Sequence, residues 1–312
     1  MIVDAHCDAL YKMWEHPELS FQYSPELGVN YEKWKKNHVK VQCFAIYVPE
    51  YVHEDSTFQV ALEMVDLFYE RILKPNPDIK WIQTQQDILN LKENEKGAML
   101  TLEGCHPIGE DLVKLKSLIR LGVRAVGLTW NQANAVSDGI GEERGAGLSS
   151  FGKQVVELLN EQDIWTDVSH LSYQGFWDVM SLAKNPMASH SNVYALCPHP
   201  RNLDDKQLNA LIERKAFIGV TFVSGFLHES KEATPSHVLQ HIQYILQLGG
   251  EDSLGFGSDF DGTTMIVDGL EDYEDYDTFI SMLQAYYPQN LINKMTHENF
   301  IRTFPHKSPG IL

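Results

Sequence analysis

The chain has 312 residues, of which 43% are hydrophobic and 22% charged, and a formal net charge of −18. That size and balance fit a globular protein with a large buried core and exclude a disordered chain. The acidic excess serves solubility and argues against nucleic acid or an anionic membrane surface as a partner, because both need a basic footprint.

No apolar run is long enough to span a bilayer. Met1 leads straight into a polar motif without a basic leader or a small-residue cleavage site, so a cytoplasmic location is expected. Cys7, Cys43, Cys105 and Cys197 are widely spread with no C-x-x-C pair, and free thiols are expected.

Taken in chain order, strand-like apolar runs fall at Ile2–His6, Lys40–Val48, Ala98–Glu103, Arg124–Thr129, Ile164–Ser169, Met187–His190, Phe217–Phe222 and Ser253–Asp259. A further short candidate lies at Lys80–Thr84. Helical spacing of apolar residues marks Phe58–Leu73, Leu112–Leu121, Phe151–Asn160, Gln174–Ala183, Asp205–Arg214 and Ser236–Leu248. Ser149 and Ser150 supply an N-cap for the third of these, and Gly249-Gly250 a stop for the last. An acidic stretch from Glu271 to Asp277 precedes two more helices. Eight strands alternating with helices predict a (β/α)8 barrel, here as a single domain over residues 1–312. An open doubly wound sheet is the competitor, but no G-x-G-x-x-G fingerprint opens a first helix. The segment 131–150 is a Gly-rich loop carrying Gly139, Gly141, Gly145 and Gly147, a length that points to function.

Five of the strand-like runs carry or end in a metal-binding or proton-transferring side chain. His6 and Asp8 stand two positions apart at the first strand, where period-two alternation puts them on one face. Glu103, His170, His190 and Asp259 close four others. In a barrel the C-terminal strand ends converge on one mouth, so these residues are expected to meet there. Three histidines, an aspartate and a glutamate suit zinc or a similar first-row ion better than calcium or magnesium. They exceed the ligand count of one catalytic zinc and suffice for two ions sharing a carboxylate. Each residue alone has a plain structural alternative, such as an ion pair for Glu103 or a satisfied core histidine at 170 or 190. The remaining histidines read as surface or helix positions, with His106 and His199 ambiguous.

The ordered set Asp4-Ala5-His6-Cys7-Asp8, Leu102-Glu103-Gly104, Leu148-Ser149-Ser150-Phe151-Gly152, Asp167-Val168-Ser169-His170, Ser189-His190-Ser191, Arg201-Asn202 and Gly257-Ser258-Asp259-Phe260-Asp261-Gly262 resembles the renal or membrane dipeptidase family, the M19 zinc peptidases. The resemblance covers residues 4 to about 262. It implies a (β/α)8 barrel with two divalent ions, zinc first among them. His6 and Asp8 would hold one ion, His170 and His190 the other, with Glu103 bridging. Asp259 would match the catalytic aspartate and Arg201 the arginine that binds the substrate carboxylate. A homodimer is also implied. One departure stands in Leu128-Thr129-Trp130-Asn131. Mammalian members carry a substrate-contacting histidine where this chain has Trp130, whose indole only donates a hydrogen bond. Trp130 and the neighbouring Asn131 are therefore expected at the substrate.

The activity expected from this resemblance is hydrolysis of dipeptides. A hydroxide bridging two metals would attack the scissile carbonyl, with Asp259 as general base and then general acid. A related amidohydrolase acting on N-acyl amino acids or lactams would use the same ions. A metal-stabilised binding protein is the non-enzymatic alternative, and the presence of Asp259 alongside all five ligands speaks against it.

Overall fold

The computed structural model describes residues 1–305. Nine parallel strands form one sheet: β1 Ile2–Cys7, β2 Val39–Tyr47, β3 Ile79–Trp81, β4 Lys96–Glu103, β5 Val123–Gly127, β6 Trp165–Asp167, β7 Pro186–Ala188, β8 Phe217–Val220 and β9 Leu254–Phe256. The neighbour order is β2-β1-β9-β8-β7-β6-β5-β4-β3, and β2 also pairs with β4 from Val41↔Gly97 to Tyr47↔Glu103. That pairing closes eight strands into the barrel and leaves β3 outside the ring. β3 borders only the start of β4, from Lys96 to Ala98, and β5 takes over the same edge from Leu100 onward.

The eight ring strands are those expected from the sequence, but several are shorter. β6, β7 and β9 end at Asp167, Ala188 and Phe256, short of His170, His190 and Asp259. His170, His190 and Asp259 therefore sit in the loops just past strand ends. His170 and Asp259 adopt left-handed backbone, with φ of 68° each. Such conformations are uncommon outside glycine and end pairing abruptly.

Helices follow the apolar spacing closely. Ser149 caps the helix Ser150–Gln162 by accepting from the Gly152 N–H at 2.9 Å. Gly249, at φ 88°, stops the helix Pro235–Gln247. The stretch read as one helix from Phe58 is α-helical over Thr57–Leu67 and continues as a π-turn over Phe68–Leu73. Short helices at Ala9–Glu15, Tyr31–Lys36 and Gln85–Leu89 were not evident from periodicity, being five to seven residues long.

Two apolar layers result. Outward-facing strand residues such as Phe44, Leu100, Val126, Ile218 and Phe256 pack under the helices. Inward-facing Val3, Ala5, Val41, Cys43, Met99, Ala125, Trp165, Met187 and Phe217 fill the lower barrel. Phe300 and Phe304, on the last helix and just beyond it, plug that end against Trp165 at ring distances of 5.0 and 4.6 Å. The four cysteines are free and buried. Among the described residues, no helix is long and apolar enough to cross a membrane.

Candidate metal centre

Strand β1 delivers the first donors by a different route from simple alternation. Val3 and Ala5 join the barrel interior, while Asp4 faces outward and accepts from the Tyr276 hydroxyl at 2.9 Å. Strict alternation would send His6 outward with Asp4. A register irregularity between Asp4 and Cys7 turns it inward instead. Asp8 lies past the strand, at the N-cap of the helix Ala9–Glu15. The two still meet, with His6 Nε2 3.3 Å from Asp8 Oδ2.

Glu103 ends β4 with strict alternation behind it, and its two oxygens face different partners. Oε2 lies 3.6 Å from His6 Nε2. Oε1 lies 3.0 Å from His170 Nε2 and 3.6 Å from His190 Nε2. Asp259 Oδ1 approaches His6 Nε2 at 3.8 Å. Two sets have donor atoms all within 4.8 Å of one another: His6, Glu103 and His190, and His6, Asp8 and Asp259. All six side chains are largely buried, Asp259 being the most open at 15%.

The histidine tautomers follow from their outer partners. The Ser189 hydroxyl donates to Asp167 Oδ2, so its oxygen is left to accept from His190 Nδ1–H at 2.7 Å. Asn131 Oδ1 accepts from His170 Nδ1–H at 2.9 Å. Both rings therefore present bare Nε2 lone pairs, and these face each other at 2.8 Å. Two lone pairs cannot hydrogen-bond to each other; a cation held by these nitrogens would resolve the conflict. His6 Nε2 and Asp8 Oδ1 are likewise buried without hydrogen-bond partners. The donor set, imidazole nitrogens with carboxylate oxygens, fits first-row divalent ions.

The electrostatics point the same way. Burial, together with the nearby Asp8, raises Glu103 well above the ordinary carboxylate range. Burial raises Asp259 to about 7 against the pull of His6 and Arg201. For His6 burial alone would lower the value, but the carboxylates of Glu103 and Asp8 outweigh it and hold it at about 10. Burial keeps His170 and His190 well below their usual range, hence neutral. Burial among neighbouring carboxylates thus disfavours the charged forms of Glu103 and Asp259.

Around this core, the Asp259 loop is fastened by Asp261. Its buried carboxylate accepts from the Gly28 and Val29 N–H groups at 2.8 and 3.0 Å and from Lys12 at 3.0 Å. Gly262 carries no side chain because a Cβ there would collide with the carboxylates of Asp8 and Asp259. Arg201 is buried beside the histidines; Nη2 donates to the His190 carbonyl at 3.2 Å, and Nε has no partner. Trp130 stacks on His170 with ring centroids 5.9 Å apart and also leans on Tyr47. Ser189 and Asp167 were not singled out beforehand, although both sit inside the motifs that carry His190 and His170.

Histidines read as peripheral are accounted for. His106 Nε2 lies 2.7 Å from the Val48 carbonyl, and His199 packs on Phe226. His241 is on a helix as expected but fully buried, where its Nδ1 accepts from the Val193 N–H at 3.0 Å. Neither Cys7 nor Cys105 belongs to a metal-binding group among the described residues.

The membrane dipeptidase family, peptidase family M19, matches residues 1–308. The chain belongs to that family. An uncharacterized dipeptidase of Schizosaccharomyces pombe is 30% identical, covering 89% of this chain and 73% of its own length. Among solved structures, the M19 metallo peptidase called dipeptidase AC superposes with a TM-score of 0.92 at 27% identity, covering 99% of each chain. A metallo peptidase of Rhodobacter sphaeroides, solved with a phosphinate mimic of the dipeptide L-Ala-D-Ala, superposes at 0.91 with 26% identity over 97% of this chain and 98% of its own. The family is one of metal-dependent dipeptidases, and this member is an enzyme of that kind.

Proposed function

We propose that this enzyme hydrolyses the peptide bond of dipeptides with two divalent ions, zinc first among them, and that one catalytic domain spans the chain. The observation that carries the reading is Glu103, whose oxygens divide between His6 on one side and His170 and His190 on the other. His6 and Asp8 would hold one ion, His170 and His190 the second, and Glu103 both. Such ions, when bound, supply the Lewis acidity that makes water nucleophilic at neutral pH and stabilises charge on the carbonyl oxygen.

The remaining work falls to side chains. Asp259 takes the proton of the attacking water and passes it to the leaving amine. Its raised value, near 7, suits a group that must both accept and give a proton. It is also the most exposed of the six. Arg201 binds the free C-terminal carboxylate, for which its unpartnered Nε is available. That clamp favours substrates ending one residue past the cleaved bond. Trp130 walls the substrate site through its stack on His170. Asn131 has its carbonyl engaged by His170, which leaves only its amide N–H for substrate. The same reading places the enzyme in the cytoplasm, as a homodimer.

The test is a panel of dipeptides, tripeptides and N-acyl amino acids, given to metal-free and zinc-loaded protein side by side. Zinc-dependent cleavage of dipeptides alone is expected. Cleavage of N-acyl substrates alone would replace the peptidase reading with the wider amidohydrolase one. Arg201→Ala should raise KM for dipeptides far more than for their C-terminal amides; equal changes would remove the clamp.

A further inference from the structure

Next to the metal-binding side chains lies a cavity of about 330 Å³, with His170 and Arg201 in its wall. The rest of the wall is dominated by Ile140, Val168, Leu171, Tyr194 and Leu203. Three polar residues, Asn202, Asp204 and Gln207, also border it. Asn202 Nδ2 donates to the Cys197 and Phe226 carbonyls at 2.8 and 2.7 Å, while its Oδ1 has no hydrogen-bond partner. The Gln207 N–H donates to Asp204 Oδ1 at 2.8 Å, and Asp204 N–H donates to Gln207 Oε1 at 3.1 Å, which caps the helix Asp205–Glu213. One oxygen of Asp204 is thereby held at the helix cap. The cation in the wall is Arg201, whose buried Nε has no hydrogen-bond partner.

The Gly-rich loop 131–150 supplies part of the wall. Ile140 is fixed by its N–H, which donates to the His170 carbonyl at 2.7 Å, and Gly139 bridges to Leu171. Gly139 packs so closely under Trp130 that a Cβ would strike the Trp130 carbonyl oxygen. The loop is thus tied to the same residue that bears the metal-binding imidazole.

We propose that this cavity receives the side chain of the substrate's C-terminal residue and selects large apolar ones, so that the preferred substrates are dipeptides ending in leucine, methionine or phenylalanine. The inference rests on the dipeptidase reading above. A substrate whose carboxylate sits on Arg201, and whose scissile carbonyl sits at the metal donors, has its C-terminal Cα between them. The open volume beside both is this cavity. An apolar side chain there leaves water for the contacts of Ile140, Leu171 and Tyr194. A charged one would give up part of its hydration against these apolar residues, which is disfavoured.

The experiment compares kcat/KM of the zinc-loaded enzyme for Ala-Gly, Ala-Leu, Ala-Phe, Ala-Asp and Ala-Lys. Ala-Leu and Ala-Phe are expected to exceed Ala-Gly by about tenfold or more, since even one added methylene in an apolar pocket is worth roughly 10–200-fold. Ala-Asp and Ala-Lys are expected below Ala-Leu. Ile140→Ser and Tyr194→Ser should each pull the Leu-to-Gly ratio toward one. Because the ratio is taken within each variant, partial misfolding cancels. Equal kcat/KM across the panel would overturn the cavity's role and leave the dipeptidase standing. A preference that both substitutions leave intact would also overturn it. Failure to cleave any dipeptide would remove the underlying reading, and the cavity's role with it.

Discussion

The two ends of this barrel are built from the same strands to opposite rules. At the floor, Val3, Val41, Met99, Trp165 and Phe217 interlock with Phe300 and Phe304, all apolar. At the mouth, only a few residues further along those strands, His6, Asp8, Glu103, His170, His190 and Asp259 crowd nitrogen and oxygen donors into nearly dry space. The floor has its stabilising contacts in place without help. The mouth holds repelling carboxylates, two opposed lone pairs and left-handed backbone at His170, Asp259 and Asp261. Local tension of this kind persists where surrounding packing over-determines it, and it marks functional sites. Stability and chemistry are thus separated along one axis, and they should be separable by substitution.

The largest expected effect is at the mouth. Asp259→Asn should lower kcat by about 10²–10⁴-fold, the usual contribution of a positioned acid–base group. Metal content should persist and the thermal midpoint should not fall, because the change removes a repelling charge. Metal analysis with calorimetry on the purified variant checks both; an unimpaired kcat would strike Asp259 from the mechanism. At the floor the pattern reverses. Trp165→Ala should cost about 3–5 kcal/mol of stability in denaturant unfolding, as large-to-small core changes do. The kcat/KM of the molecules that remain folded should stay of the same order, and a collapse of activity without loss of stability would break the division.

Smaller effects probe the partners behind the histidines. Ser189→Ala removes the link between Asp167 and His190 and should weaken metal affinity by about 10–100-fold. Competition with a chelator measures this without reference to turnover. Asn131→Asp puts a charged acceptor behind His170 and should strengthen binding. No change in either would mean that the outer hydrogen bonds do not tune the site. The smallest effect is a pH slope. His6, at about 10 in the metal-free site, carries a proton at neutral pH and must lose it to bind an ion. Apparent metal affinity should therefore rise with pH through the neutral range, by up to about tenfold per unit for each proton released. A flat profile would mean that the metal-free site is already deprotonated.

Much of this division could be read from the residues. Strand-forming runs that close on Glu103, His170, His190 and Asp259 announced both the ring and its mouth, because a charge at the end of an apolar strand needs a reason to be there. What escaped was geometry set by distant partners. Alternation brings Glu103 inward, but His6 arrives by a register irregularity that no local pattern encodes. The run at Lys80–Thr84 is strand, but over Ile79–Trp81 and outside the ring, because β5 occupies the rest of the β4 edge. The service of Ser189 to His190 depends on where Asp167, 22 residues away, aims its carboxylate. Phe300 and Phe304 gave no hint of being the floor's plug, since a short helix at the chain's end shows too few turns to declare a face.

The buried thiols make this molecule its own reporter. Cys43 lies in the floor cluster, Cys7 and Cys105 lie near the mouth, and Cys197 lies in the segment before Arg201. Burial raises Cys105 to about 12 and Cys7 and Cys43 well above the ordinary thiol range, so in the closed protein scarcely any thiolate exists to react. Modification by a thiol reagent then waits on local opening. The labelling rate at each cysteine, followed by mass spectrometry with and without zinc, would read how far the grip of the metal extends from the mouth toward the floor.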